Sequence, residues 1–158
     1  MIELEIRTAA SMRDLGQRIG GRCRPGDLIL LVGDLGAGKT TLVQGLGLAL
    51  GVTDRITSPT FVIARVHETS GEFPSLVHVD AYRLGSALEF DDLDLATDVE
   101  VSVTVVEWGA SKAEQLAGDY LVVQITRSDD GVDETRVVQI SGVGSRWTFD
   151  DLEMIASR

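Results

Sequence analysis

The sequence predicts an α/β fold of three layers, with a mixed sheet that is parallel at its centre and carries antiparallel hairpins at its margins. Three observations predict it. Apolar runs of strand length, Leu28 to Val32, Leu76 to Val79 and Val101 to Val106, read as strands buried on both faces. Helix-period segments fall between strand segments, the order that builds a sheet with a parallel centre. The run Leu28 to Val32 also leads straight into Gly33-Asp-Leu-Gly-Ala-Gly-Lys-Thr40, a glycine-rich turn that opens a helix. The chain has 158 residues, 44% of them hydrophobic, enough for one substantial core. With no linker to separate two cores, residues 1–158 are expected to form one domain.

Ile2, Leu4 and Ile6 alternate with Glu3, Glu5 and Arg7, the period of a half-buried strand. Ser11 and Asp14 have the form of a capping box opening a helix, with Met12, Leu15, Ile19 and Cys23 on one apolar face. Arg24-Pro-Gly-Asp27 ends that helix and turns the chain into the strand before the glycine-rich turn. The next helix runs from Lys39 to Leu50, with Gly51 as its stop. Arg55 to Phe61 leads into a strand over Phe61 to Glu68, and a turn rich in Gly, Ser and Pro joins it to the strand Leu76 to Val79, giving a hairpin. Asp80 ends this strand, and Ser86 with Glu89 suits the cap of a short helix. From Glu89 to Glu100 acids crowd the chain; the plain reading is a solvated surface, the alternative a docking face for a basic partner. Val101 to Val106 is a strand ending at Glu107-Trp108-Gly109. Leu121 to Thr126 and Thr135 to Ser141 flank an Asp-Asp-Gly turn as a second hairpin, and Thr148 with Asp151 caps a last short helix.

A net charge of −11 argues against this chain gripping a polyphosphate backbone unaided, so any nucleic acid is expected to be held by another protein. The start lacks the basic flank and apolar core of a signal peptide, and no apolar run approaches membrane-spanning length. A cytoplasmic location without membrane contact is the expectation. Cys23 is the only cysteine, which excludes an internal disulfide and a cysteine metal cluster.

The glycine-rich turn carries the chemistry. Gly33, Gly36 and Gly38 lack a Cβ, which lets the backbone curl its N–H groups around phosphate oxygens. Lys39, one of only two lysines in the chain, is placed to reach the β- and γ-phosphates, and the Thr40 hydroxyl to ligate Mg²⁺. The positive end of the helix beginning at Lys39 faces the same phosphates. Ligands of such sheets sit at the carboxyl ends of the strands, where Asp80 and Glu107 follow apolar runs. One carboxylate would hold Mg²⁺ through water while the other orients or deprotonates the attacking water, and the spacing does not assign which does which. Thr60, in Ser58-Pro-Thr-Phe61, stands where switch loops place a hydroxyl that senses the γ-phosphate. Arg83 suits either a phosphate or a surface ion pair, and Trp108 either a stacked ligand or core packing. His67 and His78 have no metal-ligand spacing; His78 shares a strand face with Asp80 and is read as structural. The chain contains no asparagine, so the guanine-reading Asn-Lys-x-Asp motif is absent and ATP is the favoured nucleotide.

With Gly33-Asp-Leu-Gly-Ala-Gly-Lys-Thr-Thr41, Ser58-Pro-Thr-Phe61, His78-Val-Asp-Ala-Tyr-Arg83 and Val106-Glu-Trp108 in family order, the chain resembles the bacterial TsaE family, also called YjeE. The resemblance implies a phosphate-loop NTPase-like fold and a cytoplasmic, Mg²⁺-dependent ATPase, weak without its partners. Its role would be to support threonylcarbamoylation of adenosine 37 in tRNAs that read codons beginning with A. The implied partners are TsaD, which transfers the threonylcarbamoyl group, and TsaB, with tRNA met only through the complex. Carried onto this chain, the resemblance implies ATP contacts from Gly33, Leu35, Gly36, Ala37, Gly38, Lys39, Thr40 and Thr41, with Thr8 near the adenine. It implies Mg²⁺ on Thr40 and Glu107, Asp80 as the strand-end aspartate of the metal site, and Thr60 and Trp108 as switch-like or gating residues. Two other readings are a small-molecule kinase and an ATP-dependent switch or scaffold. The first would want an arginine-rich lid that no stretch supplies; the paired strand-end carboxylates weigh against the second.

Overall fold

The structure is a computed structural model and describes residues 1–59, 64–81, 100–107, 117–127 and 134–157. Its strands are β1 (Ile2–Ile6), β2 (Leu28–Val32), β3 (Ala64–His67), β4 (Leu76–Asp80), β5 (Val103–Glu107), β6 (Tyr120–Arg127) and β7 (Arg136–Val143). The helices among the described residues are α1 (Ala9–Gly20), α2 (Lys39–Ala49) and α3 (Phe149–Ala156). The strands form a single sheet in the order β1-β7-β6-β2-β5-β4-β3. At the centre β6, β2, β5 and β4 run parallel to one another, and β3, β7 and β1 add antiparallel pairings at the two sides. The expected parallel centre with antiparallel margins is the observed architecture.

The central strands are nearly continuous in Leu, Ile and Val because both faces of the sheet are covered. On one face Ile29, Leu31, Val105 and Val123 meet Leu15, Ile19, Leu42 and Leu46 of α1 and α2, with Trp147, Leu152 and Ile155 in the same cluster. On the other face Leu28, Leu30, Val77, Val79 and Val106 form a second core. Each side chain buried this way contributes on the order of 2 kcal/mol, so displacing a central strand would expose several of them at once. That cost is what holds the strand ends in place.

Helices α1 and α2 lie against each other closely enough to need glycine. A Cβ on Gly16 would overlap the Leu42 carbonyl oxygen, and one on Gly45 the Arg13 carbonyl oxygen. Beside α3, Arg146 ties the sheet to the turn before β2. Its Nε and Nη2 donate to the two oxygens of Asp27 at 2.8 and 2.7 Å, Nη2 also donates to the Arg22 carbonyl at 2.7 Å, and the guanidinium lies 4.1 Å from the Trp147 ring centroid.

Several boundaries differ from the sequence reading. Helix α1 starts earlier than the Ser11–Asp14 pattern suggested: Thr8 is its cap, and the Thr8 Oγ1 accepts the Ser11 N–H at 3.0 Å. The same helix stops at Gly20, so Cys23 lies in the turn beyond it, half-buried, with its thiol donating to the Ile19 carbonyl at 3.3 Å. Burial pushes that thiol well above its ordinary pKa. Helix α2 ends at Ala49 with Leu50 as its cap, and Gly51 takes the left-handed conformation, φ 74°, that closes it. Strand β5 begins at Val103, two residues late, while the Thr148–Asp151 capping box at α3 forms as read. Residues Phe61 to Ile63, the Ser86–Glu89 cap, the acidic run before Glu100 and the Asp-Asp-Gly turn lie outside the described residues. Among those described, no helix is long and apolar enough to cross a membrane.

Candidate nucleotide-binding site

The glycine-rich loop sits at the carboxyl end of β2 and runs into α2. Gly33 is needed because a Cβ there would come within 2.6 Å of the Ile125 carbonyl of the neighbouring strand. Gly36 and Gly38 have φ of 73° and 115°, a region other residues enter only with strain. Gly38 is the cap of α2 and, having no side chain, leaves the first amides of the helix to face the loop. Lys39 is almost entirely buried and donates from Nζ to the carbonyls of Gly33 at 2.8 Å and Asp34 at 3.1 Å. Burial pulls its ammonium below the ordinary lysine value, and the carboxylates of Glu107, Asp80 and Asp34 oppose that pull. Thr40 and Thr41 follow in the first turn of α2, Ala37 is buried under the loop, and Leu35 is 86% exposed at its tip.

Asp80 and Glu107 are register partners at the ends of β4 and β5, only 2% and 4% exposed. In the next pairing Glu107 lies opposite Leu31, two residues before Gly33. Two carboxylates are thus delivered side by side next to the loop by strands that cannot shift. Behind them, the wholly buried His78 is hydrogen-bonded through Nε2 to Glu107 Oε1 at 2.8 Å. Sequence reasoning placed His78 on the face of Asp80 but missed its partner, because the contact spans two strands. Two adjacent carboxylates at the strand ends and a threonine hydroxyl at the start of α2 are oxygen donors of the kind a hard cation such as Mg²⁺ prefers.

On the opposite side the β6–β7 hairpin reaches the loop. Arg127 donates from Nη2 to the Gly36 carbonyl at 3.2 Å, and Arg136 donates from Nε to the Ala37 carbonyl at 3.1 Å. Neither arginine stood out in the sequence, where each is one basic residue at the rim of a hairpin. Thr8, Met12, Gly38, Thr41 and Arg136 line a cavity of about 150 Å³ beside the loop. Thr8 is therefore near the site, although its hydroxyl is occupied in capping α1. Thr60, Arg83 and Trp108 lie outside the described residues.

A family profile described as "Threonylcarbamoyl adenosine biosynthesis protein TsaE" matches residues 6–138, a span that contains the loop, both carboxylates and the two arginines. The chain belongs to the TsaE family. It is 53% identical over 147 residues to a Streptomyces coelicolor protein named tRNA threonylcarbamoyladenosine biosynthesis protein TsaE, covering 92% of this chain and 99% of that one. A Bacillus subtilis protein of the same name is 38% identical over 127 residues, covering 78% and 75%. The crystal structure of Bacillus subtilis YdiB superposes with a TM-score of 0.74 at 30% identity, covering 98% of this chain and 94% of that one. For this TsaE-family chain, then, the fold that carries Lys39, Asp80 and Glu107 is shared along almost its whole length with a solved structure.

Proposed function

We propose that the chain binds MgATP at the β2–α2 loop and hydrolyses it in support of tRNA threonylcarbamoyladenosine formation, the process its relatives are named for. The observation that carries this reading is the placement of Asp80 and Glu107 as register partners beside Lys39. A buried lysine and two buried carboxylates at the end of a phosphate loop suit the positioning and charge stabilisation that phosphoryl transfer needs.

In this reading Gly33, Leu35, Gly36, Ala37, Gly38, Lys39, Thr40 and Thr41 hold the phosphates, and Lys39 leaves the carbonyls of Gly33 and Asp34 for phosphate oxygens. Thr40, Glu107 and Asp80 would hold Mg²⁺, which when bound would supply charge neutralisation for phosphoryl transfer. Glu107 keeps one oxygen on His78 and has the other for the metal or the attacking water. Whichever of the two carboxylates does not hold the metal directly would orient that water for attack on the γ-phosphorus in line with the departing ADP. Thr60 and Trp108 complete the site as switch and gate, and Thr8 stands near the base. The relevant partners are TsaD and TsaB in the cytoplasm. Because this chain carries a net charge of −11, the basic surface that meets tRNA belongs to those partners.

The test is ATP hydrolysis by the purified chain, alone and with TsaB and TsaD, next to Lys39→Ala and Glu107→Gln. Slow turnover that rises with the partners and collapses at least about 100-fold in both variants supports the reading. Partner-independent transfer of phosphate to a small acceptor replaces it with a kinase.

A further inference from the structure

We infer that Arg127 and Arg136 act together as a brace that presets the phosphate loop, making them positioning residues for nucleotide binding; the inference rests on the nucleotide reading above. The two are Cα register partners at the end of the β6–β7 ladder. Like charges directly opposite each other in an antiparallel pair are unfavourable, so such a pair calls for compensation. The compensation is visible: both guanidinium groups turn to adjacent carbonyls of one loop, Arg127 to Gly36 and Arg136 to Ala37. Arg136 is fixed further by donating from Nη1 to the Glu134 carbonyl at 2.6 Å and the Thr135 carbonyl at 3.3 Å.

What the brace does follows from peptide geometry. In a trans peptide the C=O and the following N–H point in opposite directions. Drawing the Gly36 and Ala37 carbonyls towards the hairpin therefore turns the amides of Ala37 and Gly38 away from it: the Ala37 N–H closes the loop on the Asp34 carbonyl at 3.0 Å, and the Gly38 N–H is turned to the side where phosphate oxygens would bind. The hairpin cannot drift from the loop, because β6 pairs with β2 and Gly33 packs on the Ile125 carbonyl. Gly36 takes part as well: a Cβ there would lie 3.2 Å from Arg127 Nη2, so a side chain would crowd the brace. The loop is held from one side by Lys39, through the Gly33 and Asp34 carbonyls, and from the other by two arginines that need not touch the nucleotide.

The experiment is calorimetric titration of wild type, Arg127→Ala, Arg136→Ala, the double variant and the two Arg→Lys variants with MgADP and with magnesium pyrophosphate, alongside ligand-free thermal melts. Each alanine variant is expected to weaken both ligands by the same factor, about ten-fold, since charge-assisted bonds to the loop are lost while the ligand's own contacts remain. The double variant is expected to lose less than the product of the singles, because both arginines act on one loop. The lysine variants, which keep the charge but not the guanidinium geometry, should fall between, which separates bracing from a fold that fails. Unchanged affinities, or a loss confined to MgADP, overturn the brace, the latter by showing contact with ribose or base. A wild-type chain that binds neither ligand removes the nucleotide reading and the brace with it, whereas wild-type binding with undiminished variants removes the brace alone.

Discussion

His78 donates from Nε2 to Glu107 across two strands at 2.8 Å while being wholly buried itself, two residues before Asp80 on β4. A buried carboxylate held on one oxygen has little freedom to swing, so the histidine sets where the other oxygen points. His78→Ala is expected to leave MgADP affinity within about two-fold and to lower single-turnover ATP hydrolysis by roughly ten- to a hundred-fold. His78→Gln, whose amide also donates, should recover part of that loss. An unaltered hydrolysis rate in His78→Ala would show that Glu107 is held by other means.

Gly45 and Gly16 let α1 and α2 touch backbone to backbone, and α2 continues directly from the glycine-rich loop. Gly45→Ala places a methyl group into the Arg13 carbonyl and is expected to destabilise the chain by about 2 kcal/mol, read as a lower urea midpoint at an unchanged slope. Gly118→Ala is the control, since among the described residues nothing lies within 4 Å of a Cβ there. Equal midpoints for the two variants would mean that the helices can separate freely.

Arg146 neutralises Asp27, which is only 5% exposed, and does so with two parallel bonds. Removing one partner of such a pair strands the other, so Arg146→Ala is expected to cost about 3 to 5 kcal/mol. Arg146→Lys cannot reproduce the fork or the stacking on Trp147 and should regain only part of it. Chemical denaturation of the three chains measures both steps, and a double variant with Asp27→Asn that is no less stable than Arg146→Ala would confirm the stranded charge as the cause.

Much of this was legible in the sequence wherever the signal was local. The run Leu28 to Val32, the start of α2 at Lys39 and the Thr148–Asp151 box fall where residue type and spacing put them. Asp80 and Glu107 were found because each ends an apolar strand. What escaped depends on which distant strands meet. Nothing near Arg127 announces Arg136, and His78 resembles an ordinary core histidine until β5 is laid beside β4. The start of α1 was misplaced for a local reason: Thr8 and Ser11 are hydroxyl residues three apart, and the Ser11–Asp14 spacing imitates a box while Thr8 accepts the helix amide. Thr60 and Trp108 fall outside the described residues, so their expected roles stand as proposals.

His67 gives a dependence on pH. Burial, helped by the nearby His78, holds its imidazole below the ordinary value of 6.5, with Asp54 opposing, and its buried Nε2 has no hydrogen-bond partner among the described residues. The unfolded chain therefore takes up a proton near 6.5 that the folded chain refuses until lower pH, and folding weakens as pH falls below that value. His67→Leu removes this group, so its urea midpoint should fall less than that of the wild type between about pH 7.5 and 5.5. Parallel losses in the two chains would assign the slope to other groups.

The pairing of Ile2 with Ile140 also constrains how the molecule comes into being. On the ribosome β1 is made well before β7 and waits for it, on the order of ten seconds at ordinary rates of translation. During that interval the nascent polypeptide carries a lone amphipathic strand and a phosphate loop with no arginine hairpin against it. Until Arg136 has been made, the contacts that the hairpin gives to the Gly36 and Ala37 carbonyls cannot form, so the order of synthesis delays the final shape of the loop.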